Sequence, residues 1–194
     1  MIEAKPIDDT EWMRRFQSGD EAAFERLFEK YHRPIISFCF RFLGDKEQSE
    51  EIAQETFLQV YRFAEGYRPL AKFSTWLYTI AKNLCLNRLR KKDPTLNCDL
   101  NNEDSQGNYL EETIADLAPT PDHEYSQKQL SEIVQKAVGN LSASLRAPLI
   151  LYRYQELSHQ EIAEILGCTV TAVKLRLHRA IRVLEKELAP YMRE

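Results

Sequence analysis

No apolar run in this chain approaches the ~20 residues needed to span a bilayer, and apolar/polar alternation of useful length occurs nowhere. The first absence argues against a membrane-spanning helix; the second leaves an all-α fold as the expectation. Cysteine is sparse, and Cys39, Cys85, Cys98 and Cys168 stand far apart with no C-x-x-C pair. The four histidines, His32, His123, His159 and His178, are equally scattered. Structural zinc needs clustered ligands, so no metal site is expected and the thiols read as reduced and structural. A basic stretch followed by an apolar one, as in a signal peptide, is also missing: the N-terminus carries Glu3, Asp8, Asp9 and Glu11. The expected compartment is the cytoplasm. No convergent nucleophile, acid/base pair or phosphate loop suggests an enzyme or a cofactor.

What is present is an uneven charge. The formal net charge is −4 over 194 residues, which looks unpromising for a nucleic-acid partner until it is divided along the chain. Residues 1–92 carry +2, residues 93–127 carry nine acids and no base, and residues 128–194 carry +3. The acidity therefore belongs to the middle, and two mildly basic blocks flank it. Distribution matters more than total for such a partner.

The blocks differ in pattern as well. Residues 93–127 combine Pro94, Pro119 and Pro121 with a run of Asn and Asp, little apolar periodicity and strong self-repulsion. That is linker composition, unable to bury enough apolar surface to offset its ordering entropy. The expectation is two small helical domains, 1–92 and 128–194, joined by a flexible acidic linker. In the first, Asp20 reads as the cap of a helix with Phe24, Leu27, Phe28 and Tyr31 on one face. Pro34 suits the first turn of a second helix ending near Gly44. A third begins near Ser49. A fourth begins near Ser74 or Thr75 and is expected to bury Trp76, Leu77, Ile80, Ala81, Leu84 and Leu89. In the second domain, Pro148 must fall near a helix's first turn or kink it.

Two segments carry chemistry. Ser158 followed by Glu161 has the form of a capping box. Ile162, Ala163 and Leu166 then face inward, Gly167 ends the helix, and Thr169 or Thr171 opens the next, expected to bury Val173, Leu177, Ala180 and Leu184. This spacing predicts a helix-turn-helix whose second helix exposes Lys174, Arg176, His178, Arg179 and Arg182 toward phosphates and base edges. The plainer reading is an αα-hairpin with a solvated basic face. From Lys72 to Lys92 there are six bases and no acid, interleaved with Phe73, Trp76 and Tyr78. Bases follow a nucleic-acid backbone while rings stack on exposed bases. The plainer alternative is an aromatic core with a basic edge.

At this point the chain resembles the extracytoplasmic-function group of bacterial sigma factors. The run FSTWLYTIAKN from Phe73 to Asn83 is similar to that family's promoter-melting segment. EEIAQETF, from Glu50 to Phe57, resembles the helix that grips the polymerase clamp. SHQEIAEILG (Ser158–Gly167) and VKLRLHRA (Val173–Ala180) resemble its region-four helix-turn-helix. The resemblance implies a non-catalytic factor that binds core RNA polymerase, through the β′ clamp helices and the β subunit, and directs it to promoter DNA. It implies polymerase contact at or beside Glu51, Gln54, Glu55 and Phe57. Capture of the −10 element would involve Tyr67, Lys72, Phe73, Trp76, Asn83 and Arg88. Thr171, Lys174, Leu175, Arg176, His178 and Arg179 would face the −35 element. It further implies an anti-sigma factor and an acidic linker that threads polymerase channels. Gln48, Pro69-Leu70, Leu175 and Thr171 depart from the family's usual residues, with Ser49 able to cap in place of an Asp at 48. The rival reading is a stand-alone transcriptional regulator using the helix-turn-helix only, which leaves the 72–92 segment unexplained.

Overall fold

The computed structural model describes residues 8–92 and 127–191, so the expected linker lies almost wholly outside the described residues. Among those residues there is no strand, and the chain divides into two compact helical units. The first holds α1 (Asp9–Gln17), α2 (Glu21–Leu43), α3 (Lys46–Arg62) and α4 (Phe73–Lys92), with a short 3-10 turn at Ala64–Gly66. The second holds α5 (Gln127–Asn140), α6 (Ala143–Gln155), α7 (His159–Leu166) and α8 (Val170–Leu188), closed by a 3-10 turn at Ala189–Tyr191.

α2 corrects the expected break at Pro34. One 23-residue helix runs through the proline, although the ring removes the hydrogen bond to the carbonyl four residues earlier. Its buried stripe, Ala23, Leu27, Ile35, Phe38, Cys39 and Phe42, packs against α1, α3 and α4. Burying large apolar side chains at about 1.5–3 kcal/mol each outweighs one lost bond. The helix ends where expected, because Gly44 takes φ 73°, a left-handed conformation that costs glycine nothing. Pro148 is likewise inside α6 rather than in its first turn.

α3 starts one turn before Ser49. Asp45 is the cap, its Oδ1 accepting the Gln48 N–H at 3.0 Å and its Oδ2 the Gln48 side-chain amide at 2.7 Å. Ser49 is buried, its hydroxyl donating to the Asp45 carbonyl. Those bonds from Gln48, backbone first, hold the Asp45 carboxyl below the usual carboxylate range. The cap therefore contributes above the ordinary carboxylate pKa and is lost as pH falls through the lowered one.

α4 begins at Phe73 and buries a face turned from the expected one. Phe73, Leu77, Tyr78, Ala81, Cys85 and Leu86 are buried, whereas Trp76, Ile80, Leu84 and Leu89 are only partly covered. Cys39 and Cys85, distant in sequence, meet in this core. Burial and then the neighbouring Cys39 thiol push the Cys85 thiol well up, the behaviour of an inert structural cysteine.

In the second unit the capping box forms. The Ser158 N–H donates to Glu161 Oε2 at 2.9 Å while Ser158 Oγ accepts the Glu161 N–H at 3.3 Å. Gly167 (φ 66°) closes α7, and Thr169, rather than Thr171, caps α8 through the Ala172 N–H at 3.1 Å. Ser158→Ala should lower stability of this unit by roughly 0.5–2 kcal/mol, read as an earlier urea midpoint at unchanged slope. A midpoint equal to the parent's would show that the cap adds nothing.

Candidate nucleic-acid interface

In α8 the spacing of core residues fixes which side faces out. Ala172, Val173, Leu177 and Ala180 are buried with Ile162, Ala163, Ile165 and Leu166 of α7, which leaves a stripe three and four residues apart pointing away. Thr171, Lys174 and Arg182 are exposed on that stripe, and Leu175, His178 and Arg179 are half-buried. Leu184, expected in the core, is also half-buried. Arg176 is not on the outer face. It is only 1% exposed, because it lies one turn from Ala172 and Ala180 on the packed side; only in a shallow depression with Gly167, Thr169 and Thr171 does it border the surface. The outer face of α8 thus offers hydroxyl, ammonium, imidazole and guanidinium groups, with the apolar Leu175 among them.

The second candidate face lies on α4. Asn83 and Asn87, one turn apart, are both exposed, and Arg90, Lys91 and Lys92 continue outward to the helix end. Each amide carries donors and an acceptor, the pair needed to read a base edge. Asn87 was not picked out in the sequence, although its i+4 spacing from Asn83 is the signal that marks it. Lys72 is exposed just before the helix, Trp76 is partly exposed, and Lys82 is buried.

Tyr67 and Phe73 correct the expectation of exposed stacking platforms. They are 4% and 1% exposed. Their rings pack 6.3 Å apart, Tyr67 lies 5.1 Å from Trp76, and Phe73 lies 5.5 Å from Tyr31. Their faces are covered by protein, so neither ring stands as an open stacking platform in this structure. What the segment between them does expose is Leu70, at 94%.

On α3, Glu51 and Gln54 are exposed, Glu55 is half-buried, and the Gln59 amide reaches Glu55 Oε1 at 3.3 Å. Phe57 is core, 4% exposed and 4.8 Å from Phe28 in an edge-on pair, so it supports this face from behind instead of forming it. Leu58 is 48% exposed, and it continues the Glu51–Gln54 line by one turn. Sequence reasoning passed over it because an isolated leucine reads as core. The α3 and α4 faces are tied together where Arg88 Nη2 meets Glu51 Oε2 at 2.8 Å.

Each helical unit corresponds to a matched family. Residues 27–95 match the Sigma-70 region 2 model and residues 131–184 the Sigma-70 region 4 model. The chain is 34% identical to the ECF RNA polymerase sigma factor SigW of Bacillus subtilis, over 91% of this chain and 94% of that one. It is 31% identical to the RNA polymerase sigma-H factor of Pseudomonas aeruginosa, over 96% of each. Among solved structures, CnrH in complex with the cytosolic domain of CnrY superposes with a TM-score of 0.70 at 20% identity, covering 94% of this chain and 97% of that chain. The sigma factor RpoE in complex with the anti-sigma factor NepR from Bartonella quintana gives 0.64 at 23%, covering 86% and 96%. Both halves of the chain are matched, in order, so the chain belongs to the extracytoplasmic-function group of RNA polymerase sigma factors.

Proposed function

We propose that this sigma factor divides promoter recognition between its two units, α4 reading the separated strand of the −10 element and α8 the major groove of the −35 element. The observation that carries the reading is the pairing, in one chain, of an exposed asparagine stripe that runs into bases on α4 with a capped helix-turn-helix whose outer face is basic. A stand-alone regulator needs only the second. Domain limits of 1–92 and 128–194 with a linker at 93–127 belong to the same reading, as do a cytoplasmic site of action and action by binding, with no catalytic group of its own.

The polymerase contact in this reading is the α3 face of Glu51, Gln54, Glu55 and Leu58. Leu58 supplies apolar area, and the carboxylates supply steering toward a basic partner surface. An anti-sigma factor would compete for exposed faces of this kind; the neighbours CnrH and RpoE, captured with CnrY and the anti-sigma factor NepR, support that proposal.

Reversing charge at Glu51 and Glu55 together should weaken association with core polymerase by more than about 1 kcal/mol, roughly fivefold or more. Because Glu51 pairs with Arg88, the reversal also sets like charges side by side, so the same variant is made with Arg88→Glu to restore the pair. Weak association in both, with helical content unchanged, places the contact on α3. Normal binding by a folded variant removes it from there.

A further inference from the structure

We propose that Gln17 is a positioning residue for promoter opening: from the end of α1, its side-chain amide fixes the segment that leads into the strand-reading helix α4. This rests on the −10 role proposed above for α4. The amide Nε2 donates to two backbone carbonyls at once, Ala64 at 2.8 Å and Tyr67 at 3.1 Å. These carbonyls lie 47 and 50 residues away in sequence and bracket the 3-10 turn Ala64–Gly66. A single –NH2 group has two donors, and here both are used on one short stretch of chain.

What is held in this way matters for the face beyond it. Arg68, Pro69 and Leu70 are exposed after Tyr67, and Lys72 is exposed immediately before α4. Toward α4 the segment is anchored by the Tyr67 ring, which packs 5.1 Å from Trp76 and 6.3 Å from Phe73, whereas the Tyr67 hydroxyl, 3.4 Å from the Ala71 carbonyl, ties the segment only to itself. At its near end the anchor from outside the segment is α1. Met13 sits one turn before Gln17, fully buried, so the amide is carried on a helix whose own place is fixed by packing. Arg68 also reaches the Tyr67 carbonyl, at 3.3 Å, but it moves with the segment and cannot tether it.

Gln17 itself is exposed, although Ala64 and Tyr67 are buried and the two hydrogen bonds are partly buried. Water entering from the Gln17 side takes up part of what a lost donor leaves, and the rest is a modest loss of fold stability. The effect of removing the amide therefore falls on where Arg68–Lys72 stand, more than on whether the domain is folded. A group that must meet a base needs its supporting shell held to about half an ångström. Two hydrogen bonds of roughly 1 kcal/mol each correspond to about a fivefold to thirtyfold population of misplaced conformers on their loss.

The test uses full-length Gln17→Leu and Gln17→Glu in reconstituted holoenzyme, with Asn83→Ala alongside. Leucine removes the donors at similar volume; glutamate keeps the shape and turns acceptors toward the carbonyls. Expected is a fivefold or greater loss of permanganate-reactive thymines on a duplex promoter, relaxed base preference at the −10 element, unchanged core binding, and a fall in melting temperature too small to unfold the unit at the assay temperature. Normal opening and preference in both Gln17 variants, with Asn83→Ala defective, overturns the inference while the role of α4 stands. Normal behaviour in all three overturns both. Loss of opening that tracks a fall in melting temperature, and vanishes on cooling, makes Gln17 a stability residue and overturns it as well.

Discussion

Asn83→Ala should leave polymerase binding intact and lower open-complex formation on a duplex promoter by tenfold or more. Asn83 is exposed on α4, on the side away from Leu77, Ala81 and Cys85, so its loss removes no packing. An asparagine reading a base through paired donor and acceptor is worth about 1–3 kcal/mol, and a captured base gives back part of the unpairing cost, a few kcal/mol. A template already melted across the −10 element removes that cost. It should restore opening in the variant but not discrimination between bases at the contacted position. The Phe73→Ala variant behaves differently. At 1% exposure the ring is core, and truncation should cost about 3–5 kcal/mol of folding stability, with binding and opening lost together and no rescue by a melted template. Permanganate footprints beside thermal melts separate the two. Opening by Asn83→Ala at the parent's level assigns the reading surface elsewhere.

Lys174→Ala and Arg179→Ala should each cost roughly 1–3 kcal/mol of upstream-element affinity where they contact base edges. A residue that meets phosphate alone costs less and lowers the salt slope by about one. Both side chains lie on the outward stripe of α8. Arg176, two positions from Lys174, serves as the internal comparison. It is buried with Ala172 and Ala180, so Arg176→Ala should lower the melting temperature of the unit and weaken DNA binding only as a consequence. Titrating holoenzyme onto promoters with an intact or scrambled −35 element, at several salt concentrations, distinguishes these outcomes. A double Lys174/Arg179 variant that still discriminates the two promoters removes α8 from the recognition surface.

The helices were legible in the sequence wherever their buried face repeats every three or four residues and a cap marks the start. Ser158, Glu161 and Gly167 state α7 in full, because the cap and turn are local bonds within ten residues. Misreadings arose where a local signal met a tertiary one. Pro34 is a strong breaker in isolation, yet the stripe from Ala23 to Phe42 carries α2 through it. Ser49 is a good cap by type, but Asp45, four residues earlier, captures Gln48 and draws Ser49 inward. Arg176 illustrates a further limit, since charge alone suggests an exposed group and only the packing of α7 on α8 shows which face it occupies. Tyr67 and Phe73 combine aromatic character with a basic neighbourhood, a composition shared by a stacking platform and by a core edge. Contacts with Tyr31, far away in sequence, decide between them. Gln17 gave no sequence signal at all, because its partners are backbone carbonyls, which leave no trace in residue type.

The most direct measurement is run-off transcription by purified core polymerase on a library of promoter fragments, with and without this chain. The expected result is transcription that depends on the chain and starts at fixed positions. The active fragments should share two sequence elements at constant spacing, the downstream one altered in preference by Asn83→Ala and the upstream one by Lys174→Ala with Arg179→Ala. Transcription unaffected by the chain, or promoter binding of equal strength and pattern when core polymerase is omitted, would contradict a sigma factor and favour a stand-alone regulator.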